Sequence, residues 1–237
     1  MTKIQTDIPR QEIHIEGITF TAADARLASD GGPSRLQHLF SEDKSGFKSS
    51  LADFLAEWFN ETDTVKVHTS GSTGTPKELW VEKRRMMESA RLTVNFLDLQ
   101  PKDTALLCMP LQYIAGKMVV VRSLVADLNL LPVTPCSRPL QYLETAPDFA
   151  AMVPLQVYTS IQNPRDKELL RQIRHLIIGG GAIDRTLGEE LRDFPHAVWS
   201  TYGMTETLSH IALRRLNGPI GIHLSTMYKS VFHLKEL

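Results

Sequence analysis

Residues 64–77 read TVKVHTSGSTGTPK, and this stretch is the starting point for the fold. Its first part, Thr64–Thr69, alternates valines with polar residues, which predicts a strand because successive side chains of a strand face opposite sides. The second part, Thr69–Lys77, contains two glycines, several hydroxyl-bearing residues and a lysine. Glycines let the backbone turn so that N–H groups point into one concavity, while hydroxyls and a lysine add donors and a positive charge. The stretch therefore predicts a polyphosphate-binding loop after a strand, with a simple polar turn as the alternative.

Two better-known motifs do not fit this loop. A Walker A loop has four residues between its glycines and ends in Gly-Lys-Ser/Thr, whereas only two residues separate Gly71 from Gly74. Lys77 is moreover preceded by Pro76 and followed by Glu78. The loop also lacks the Gly-x-Ser-x-Gly of a nucleophile elbow, which argues against a serine hydrolase.

Along the rest of the chain, short β-rich runs alternate with helical ones, which is typical of an α/β domain whose helices connect the strands. An early hairpin is predicted around Gly17. The further predicted strands are Thr104–Met109, Leu128–Val133, Phe149–Val153, His175–Ile178 and Ala197–Tyr202, and the predicted helices are residues 47–59, Lys83–Leu97, Lys117–Ala126 and Asp184–Arg192, with Asp184 as N-cap. Four prolines from Pro132 to Pro147 mark a loop-rich segment and the best candidate for an internal seam.

Composition and charge indicate a packed protein without a polyanionic partner. The 237 residues carry 26 basic and 27 acidic side chains, and a formal net charge of −1 gives no reason to expect nucleic-acid binding. The most apolar stretch, Met118–Val133, is interrupted by charged residues and is shorter than the roughly 20 residues that span a bilayer, so no membrane span is predicted. Cys108 and Cys136 form no C-x-x-C, and Met1–Arg10 lacks the apolar run of a secretion signal. These features predict a cytoplasmic protein and leave its oligomeric state open.

Two later segments end predicted strands with residues suited to a nucleotide. Ile177–Ala182 reads IIGGGA, where glycines allow a flat or bulky ligand to approach the backbone. Ser200–Thr207 reads STYGMTET, in which Tyr202 can stack on a base and Glu206 can hold a magnesium ion that bridges phosphate oxygens. Each segment alone has a simpler interpretation, because glycines often end strands, tyrosines often lie in the core and a single glutamate is usually solvated.

Together the three segments resemble the motifs of the adenylate-forming superfamily, the acyl-CoA synthetases and their relatives. The loop Ser70–Lys77 is similar to that family's phosphate loop, and YGMTE at 202–206 is similar to its adenine and magnesium motif. A fourth segment, Met109–Gly116, is similar to the family's Pro-Leu-x-His-x-x-Gly stretch, with Tyr113 in place of the usual histidine. The residues YIAGK at 113–117 and the compact spacing between the motifs most resemble the o-succinylbenzoate-CoA ligases of menaquinone synthesis.

The resemblance implies ATP-dependent activation of a small carboxylic acid, in the nearest group o-succinylbenzoate, as an acyl-adenylate, followed by thioester formation with coenzyme A. It implies magnesium as a cofactor bound by Glu206, and catalytic roles for Lys77, Thr205 and Glu206. The implied acyl-substrate residues are Tyr113, Gly116 and Met204. The implied ATP-binding residues are Thr69, Ser70, Gly71, Ser72, Thr73, Gly74, Thr75, Lys77, Gly179, Gly180, Gly181, Ala182, Tyr202, Gly203 and Thr205. The loop and the corner around Tyr202 would then grip one nucleotide.

The resemblance also implies the large N-terminal domain of these enzymes, an α/β fold of layered sheets with flanking helices. We expect residues 1–62 to form the N-terminal strand and helix segment of that domain, 63–218 the AMP-binding core and 219–237 an atypical tail. The family's later motifs supply an aspartate for the ribose hydroxyls and a lysine on a mobile C-terminal domain. Neither is recognisable after Glu206, where no aspartate occurs, and Lys229 and Lys235 are poor substitutes. The sequence therefore favours a truncated member whose C-terminal lid domain is absent.

Two other interpretations stay open: a non-catalytic fragment that binds the nucleotide, and an unrelated α/β protein whose loop serves another phosphoryl reaction. Lys83, Arg84 and Arg85 are three adjacent charges at the start of a predicted helix, and we expect them to be solvated rather than to bind the phosphates of coenzyme A. The histidines show no metal-ligand spacing, so no transition metal is predicted.

Overall fold

The computed structural model describes residues 4–27, 32–69, 77–203, 207–218 and 222–223. The chain divides into two compact units, Met1–Pro135 and Cys136–Leu237. This division falls inside the proline-rich segment that the sequence marks as a seam. Both units combine strands with helices, and the α/β class predicted from the sequence is confirmed.

The first unit contains six strands and five helices in its described part. In chain order they are β1 (Glu12–Ile15), β2 (Ile18–Thr21), α1 (Ala22–Ala25), α2 (Arg35–Leu39), α3 (Phe47–Phe59), β3 (Thr64–His68), β4 (Glu78–Glu82), α4 (Lys83–Leu97), β5 (Thr104–Leu107), α5 (Ile114–Ala126) and β6 (Asn129–Pro132). Four strands lie in the order β5-β6-β1-β2, of which β5, β6 and β1 are parallel and β2 is antiparallel to β1. The remaining two, β3 and β4, form a separate antiparallel hairpin.

The core of the first unit is built around two helices of different character. Helix α5 is buried on all sides from Gly116 to Ala126, as expected for a helix in the interior rather than at the surface. Helix α3 is amphipathic and buries Trp58 completely. The indole Nε1 of Trp58 donates to Oε1 of Gln11 at 2.8 Å, which satisfies the one polar atom of a buried ring.

The second unit has a continuous five-stranded region with three parallel strands. Its described elements are β7 (Phe149–Met152), α6 (Pro154–Ile161), α7 (Pro164–Gln172), β8 (His175–Ile178), α8 (Arg185–Leu191), β9 (Val198–Gly203), β10 (His210–Arg215) and β11 (Ile222–His223). The strands lie in the order β7-β8-β9-β10-β11, with β7, β8 and β9 parallel and the last two added antiparallel. Because parallel neighbours need crossover connections, helices α6 to α8 carry the chain between them.

Every helix and strand predicted from residue 47 onward is present, with ends shifted by at most a few residues. Asp184 is the N-cap of α8 as predicted, and its Oδ1 accepts from the N–H of Leu187 at 2.8 Å. The early hairpin is β1 and β2, which meet at Gly17. Neither Cys108 nor Cys136, both in the described part of the chain, forms a disulfide. None of the helices in the described ranges is both long and apolar enough to span a bilayer.

One expectation about the start of α4 was wrong. Lys83 is only 2% exposed, and its Nζ donates to the backbone oxygen of Asn60 at 3.1 Å and to its Oδ1 at 2.9 Å. Arg84, by contrast, is exposed and pairs with Glu88 at 3.0 Å, as expected for a solvated helix face. A charge at a helix start is thus buried where a neighbouring segment offers it oxygen acceptors.

Candidate active site

The predicted phosphate loop connects two paired strands. Residues 70–76 lie outside the described part of the chain, so the positions of Ser70, Gly71, Ser72, Thr73, Gly74 and Thr75 stay predictions. The two residues that flank them are described: the N–H of Thr69 donates to the carbonyl oxygen of Lys77 at 3.0 Å, and the N–H of Lys77 donates to Oγ1 of Thr69 at 3.0 Å. The loop is therefore fastened at its base, and the side chain of Lys77 is exposed there.

The segment predicted to border the acyl pocket lies beside this base. The N–H of His68, one residue before Thr69, donates to the carbonyl oxygen of Gln112 at 3.0 Å. His68 and Tyr113 form an isolated parallel β-bridge. Two segments that the sequence marks separately, one for phosphate and one for the acyl group, are thus adjacent in the first unit.

Gly116 has a packing reason to be glycine. A Cβ atom at this position would lie 2.6 Å from the carbonyl oxygen of Pro110 and 2.8 Å from that of Met109. These contacts are far inside van der Waals distance, and both involve backbone atoms that no side-chain rotation can move. Gly116 thus lets the first turn of α5 rest directly on the Met109–Pro110 backbone.

An ion pair between a buried lysine of α5 and a half-buried glutamate of α3 was not expected from the sequence. Lys117 follows Gly116, and its Nζ lies 3.1 Å from Oε2 of Glu57. The side chain of Lys117 is 8% exposed, and burial lowers its pKa while the nearby Glu57 acts in the opposite direction. The only sequence signal was the lysine at the end of YIAGK, because its partner Glu57 lies 60 positions earlier and no local pattern connects the two.

In the second unit, two of the predicted adenine-binding segments end neighbouring strands. Gly179 follows β8, and its N–H donates to the carbonyl oxygen of Met152 at 3.0 Å. A Cβ atom on Gly179 would lie 2.2 Å from Oγ1 of Thr201 in β9, so any other residue there would require the Thr201 side chain to rotate away. Gly180 has a φ of +76°, a left-handed conformation that favours glycine. Gly181 and Ala182 follow and are exposed.

Tyr202 is not a core residue, because it is 64% exposed at the end of β9. It lies at the carboxyl edge of the parallel strands, which is where ligands bind in open α/β sheets. The exposed ring and the glycines after β8 therefore share one edge of the sheet. This placement agrees with the predicted use of Tyr202 and Gly179–Ala182, although the bound base itself stays a prediction.

Gly203, the last residue of β9, packs closely against the chain at residues 209–210. Gly203 pairs with His210, and a Cβ atom on Gly203 would lie 2.3 Å from the carbonyl oxygen of Ser209 and 2.6 Å from Cα of His210. Met204, Thr205 and Glu206 lie outside the described residues, so their predicted roles are untested. After them, Leu208 has a φ of +66°, an uncommon conformation for a residue with a side chain. Whether this corner and the loop grip one nucleotide also stays a prediction.

The pattern of one known protein family matches most of this chain. The sequence pattern of the family described as AMP-binding enzyme matches residues 18–228. The chain belongs to the AMP-binding enzyme family. This confirms the resemblance to the adenylate-forming superfamily and shows that the loop, the glycine segment and the Tyr202 corner all lie within the matched region.

Curated proteins similar to this chain are about a quarter identical to it over the aligned residues. The 2-succinylbenzoate–CoA ligase of Escherichia coli is 27% identical over 150 residues, which are 63% of this chain and 32% of the relative. The enzyme of that name from Bacillus cytotoxicus is 26% identical over 178 residues, 73% of this chain and 37% of the relative. The AMP-binding chain thus spans about a third of the length of these two curated relatives.

Solved structures support the fold. The acyl-CoA synthetase (AMP-forming)/AMP-acid ligase II-like protein from Dyadobacter fermentans is 34% identical, with a TM-score of 0.71 over 79% of this chain and 54% of that one. The o-succinylbenzoate coenzyme A synthetase from Bacillus subtilis, solved with ATP and magnesium, has a TM-score of 0.60 over 88% of this chain and 60% of that one. At 18% identity, the second likeness shows the fold alone. The sheet and flanking helices match the N-terminal domain of adenylate-forming enzymes.

Proposed function

We propose that this AMP-binding protein activates a carboxylic acid with ATP and transfers the acyl group to coenzyme A. The observation that carries the proposal is the pairing of Thr69 with Lys77, which fastens a loop rich in hydroxyls and glycines beside the segment of Tyr113. The acid we propose is o-succinylbenzoate, on the support of curated relatives named for that substrate. The proposed setting is the cytoplasm, which supplies ATP and coenzyme A.

The reaction has two displacement steps. A carboxylate oxygen of the acid attacks the α-phosphorus of ATP, the bond to the bridging oxygen breaks, and pyrophosphate leaves with that electron pair. The thiol sulfur of coenzyme A then attacks the acyl carbon, AMP leaves, and the thiol proton passes to solvent. Because little covalent chemistry falls to the protein, its contribution is to align the attacking and leaving oxygens and to neutralise moving charge.

Each proposed role matches the chemistry of its residue. Lys77 and the loop that it closes would hold the β- and γ-phosphates, and Thr205 would donate to the α-phosphate. Tyr202 would stack on the adenine, since its ring is exposed at the sheet edge. Tyr113 would border the acyl group, which its place beside His68 supports.

Magnesium would depend on Glu206 and on the nucleotide. Carboxylate oxygen is a ligand that Mg²⁺ prefers, and the ion is commonly held by one or two carboxylates together with substrate phosphates. Within the described ranges, no three His, Cys, Asp or Glu side chains are grouped closely enough to hold a metal ion. We propose Glu206 together with phosphate oxygens of the nucleotide as the ligand set. Bound there, the ion would neutralise phosphate charge.

Acid-dependent exchange of labelled pyrophosphate into ATP tests the first step directly. We expect exchange with o-succinylbenzoate, weaker exchange with benzoate and none without acid. Lys77→Ala should weaken ATP binding by about tenfold to a hundredfold, the loss of one charge-assisted hydrogen bond. Lys48→Met is the matched control, because Lys48 pairs with Glu16 away from the loop.

The outcomes separate the possible functions. Exchange that is stronger with another acid would keep the ligase and replace the substrate. Measurable ATP binding without exchange under any acid would indicate the binding-only alternative. Unchanged ATP affinity in Lys77→Ala would exclude the phosphate-loop role of this segment and with it the proposed function.

A further inference from the structure

At Lys66, the edge of β3 that faces away from β4 is capped by side chains from two helices. Lys66 lies opposite Trp80 in the hairpin, but its backbone N–H and C=O point away from β4. Its N–H donates to Oε1 of Glu57 on α3 at 2.6 Å, and its carbonyl oxygen accepts from Nζ of Lys117 on α5 at 2.6 Å. In an antiparallel pair, alternate residues direct both polar groups away from the partner strand. Glu57 and Lys117 therefore take the place of a third strand at this edge.

Glu57 and Lys117 also bind each other. Oε2 of Glu57 accepts from Nζ of Lys117 at 3.1 Å, and the ammonium lies 4.7 Å from the ring centroid of Phe54. One carboxylate and one ammonium thus bond the N–H and the C=O of a single residue, Lys66, as well as one another. A helix could be attached to the strand with apolar side chains alone, at less desolvation cost than a buried ion pair. The buried Lys117 and the half-buried Glu57 therefore favour a role in fixing the position of the strand.

The pair of Glu57 and Lys117, called the clamp below, joins β3, which leads to the base of the phosphate loop, to α5, which follows the segment of Tyr113. Lys66 precedes Thr69 by three residues, about 10 Å along a strand, and Thr69 pairs with Lys77 at the base of the loop. Lys117 is adjacent to Gly116, where α5 begins against the backbone of residues 109–110. A displacement of β3 relative to α5 would therefore change the spacing between the loop base and the segment of Tyr113.

We propose that Glu57 and Lys117 are positioning residues, which hold Thr69 and Lys77 at the correct distance from the start of α5 for ATP and acid to react. This inference rests on the proposed function, because it assigns the pair a task within that site. The simpler role, that of general stability, makes a different prediction, and kinetic constants distinguish the two.

The experiment compares Lys117→Met, Lys117→Arg and Glu57→Gln with the control Lys48→Met. Lys48 resembles Lys117 in its contacts, since it pairs with Glu16 at 2.7 Å and lies 5.9 Å from the ring centroid of Phe40. Acid-dependent pyrophosphate exchange gives kcat and the KM for ATP, calorimetry gives ATP affinity, and thermal unfolding gives Tm. All four variants are measured in the full chain.

We expect Lys117→Met and Glu57→Gln to lower kcat/KM for ATP by at least about tenfold at temperatures where both remain folded, since small displacements of reacting groups are costly. Lys117→Arg should recover most of this loss, because guanidinium keeps donors for both oxygens. The control should match the wild type. If Lys117→Met does not fold, Lys117→Arg and Glu57→Gln still provide the comparison.

Failure of the inference differs from failure of the proposed function. A wild type that exchanges normally, with variants that lose only Tm and keep kcat and KM, would overturn the inference alone. A wild type that binds ATP without exchange would overturn the ligase, and lower ATP affinity in Lys117→Met than in the control would then still support the clamp. A wild type that binds no ATP would overturn both.

Discussion

Replacement of Gly203 by alanine should strain the junction of β9 and β10. The added methyl carbon would lie 2.3 Å from the carbonyl oxygen of Ser209 and 2.6 Å from Cα of His210. Non-bonded heavy atoms are comfortable at about 3.5 Å, so the backbone at 209–210 must retreat by roughly 1 Å. Both obstacles are main-chain atoms, at the first residue of the paired strand β10 and the residue before it, so no rotamer change can provide the space.

The expected cost is that of overpacking. Extra carbon in a tightly packed place typically destabilises by about 1–3 kcal/mol, because backbone and side chains must shift to accept it. Each kcal/mol lowers Tm by about 2–4 °C in a protein of 150–250 residues. We therefore expect Gly203→Ala to lower Tm by roughly 2–12 °C. Urea unfolding followed by circular dichroism gives the free energy directly.

Gly188 provides the matched control. It lies within α8, where an added Cβ would meet no atom within 4 Å. Alanine is better than glycine inside a helix by about 0.5–1 kcal/mol, so Gly188→Ala should stabilise the protein. The two variants make the same chemical change with opposite expected signs. Equal effects of the two substitutions, or a Gly203→Ala protein as stable as the wild type, would refute this reasoning.

Two further predictions concern charged groups in the first unit. Lys83→Ala should cost about 1–3 kcal/mol, because the charge-assisted hydrogen bonds from the buried Lys83 side chain to Asn60 are lost, whereas Arg84→Ala should stay within about 0.5 kcal/mol; equal urea midpoints would contradict this. The pKa of Asp24 is lowered by a hydrogen bond from the N–H of Thr21 and by Arg35, so its carboxylate stabilises the fold above the ordinary carboxyl pKa of about 3.9. Asp24→Asn should therefore cost up to about 1 kcal/mol at pH 7, a difference that shrinks as the pH falls below about 4, and a pH-independent difference would count against this assignment.

The elements predicted well are those whose pattern is local. Helix α4 spans Lys83–Leu97 and strand β8 spans His175–Ile178, with both ends as predicted, because a one-sided apolar period or an unbroken apolar run marks each of them. Helix α5 begins at Ile114, three residues before the predicted start. It is buried all round from Gly116 onward, so no contrast between a buried and an exposed face marks where it begins.

The sequence contains start signals for α6 and α7, two helices that were not predicted. Helices α6 and α7 both have proline at the first position, Pro154 and Pro164, where its fixed φ suits a helix start. Asn163 caps α7, with its Oδ1 accepting from the N–H of Asp166 at 3.2 Å. Strand β4 follows the loop and was not predicted, because its sequence mixes polar and apolar residues. One face of the strand is solvated, and Trp80 on that face is 63% exposed.

The candidate site shows the limit of reasoning from sequence. Thr69, Lys77 and Tyr202 could be singled out because their motifs are contiguous and chemically distinctive. The partnership of Glu57 with Lys117, and the burial of Lys83, depend on contacts between segments far apart in the chain. Such contacts follow from how helices pack on the hairpin, which no local pattern records.

The tight seat of Gly116 has an evolutionary consequence. Any other residue there would place a Cβ atom against the carbonyl oxygens of Met109 and Pro110, so no amino-acid replacement at this position is conservative. Selection for a folded chain alone would preserve the glycine, even in a descendant lineage that had lost its enzymatic role. Its persistence among relatives would therefore record the ancestry of the scaffold rather than a retained enzymatic role.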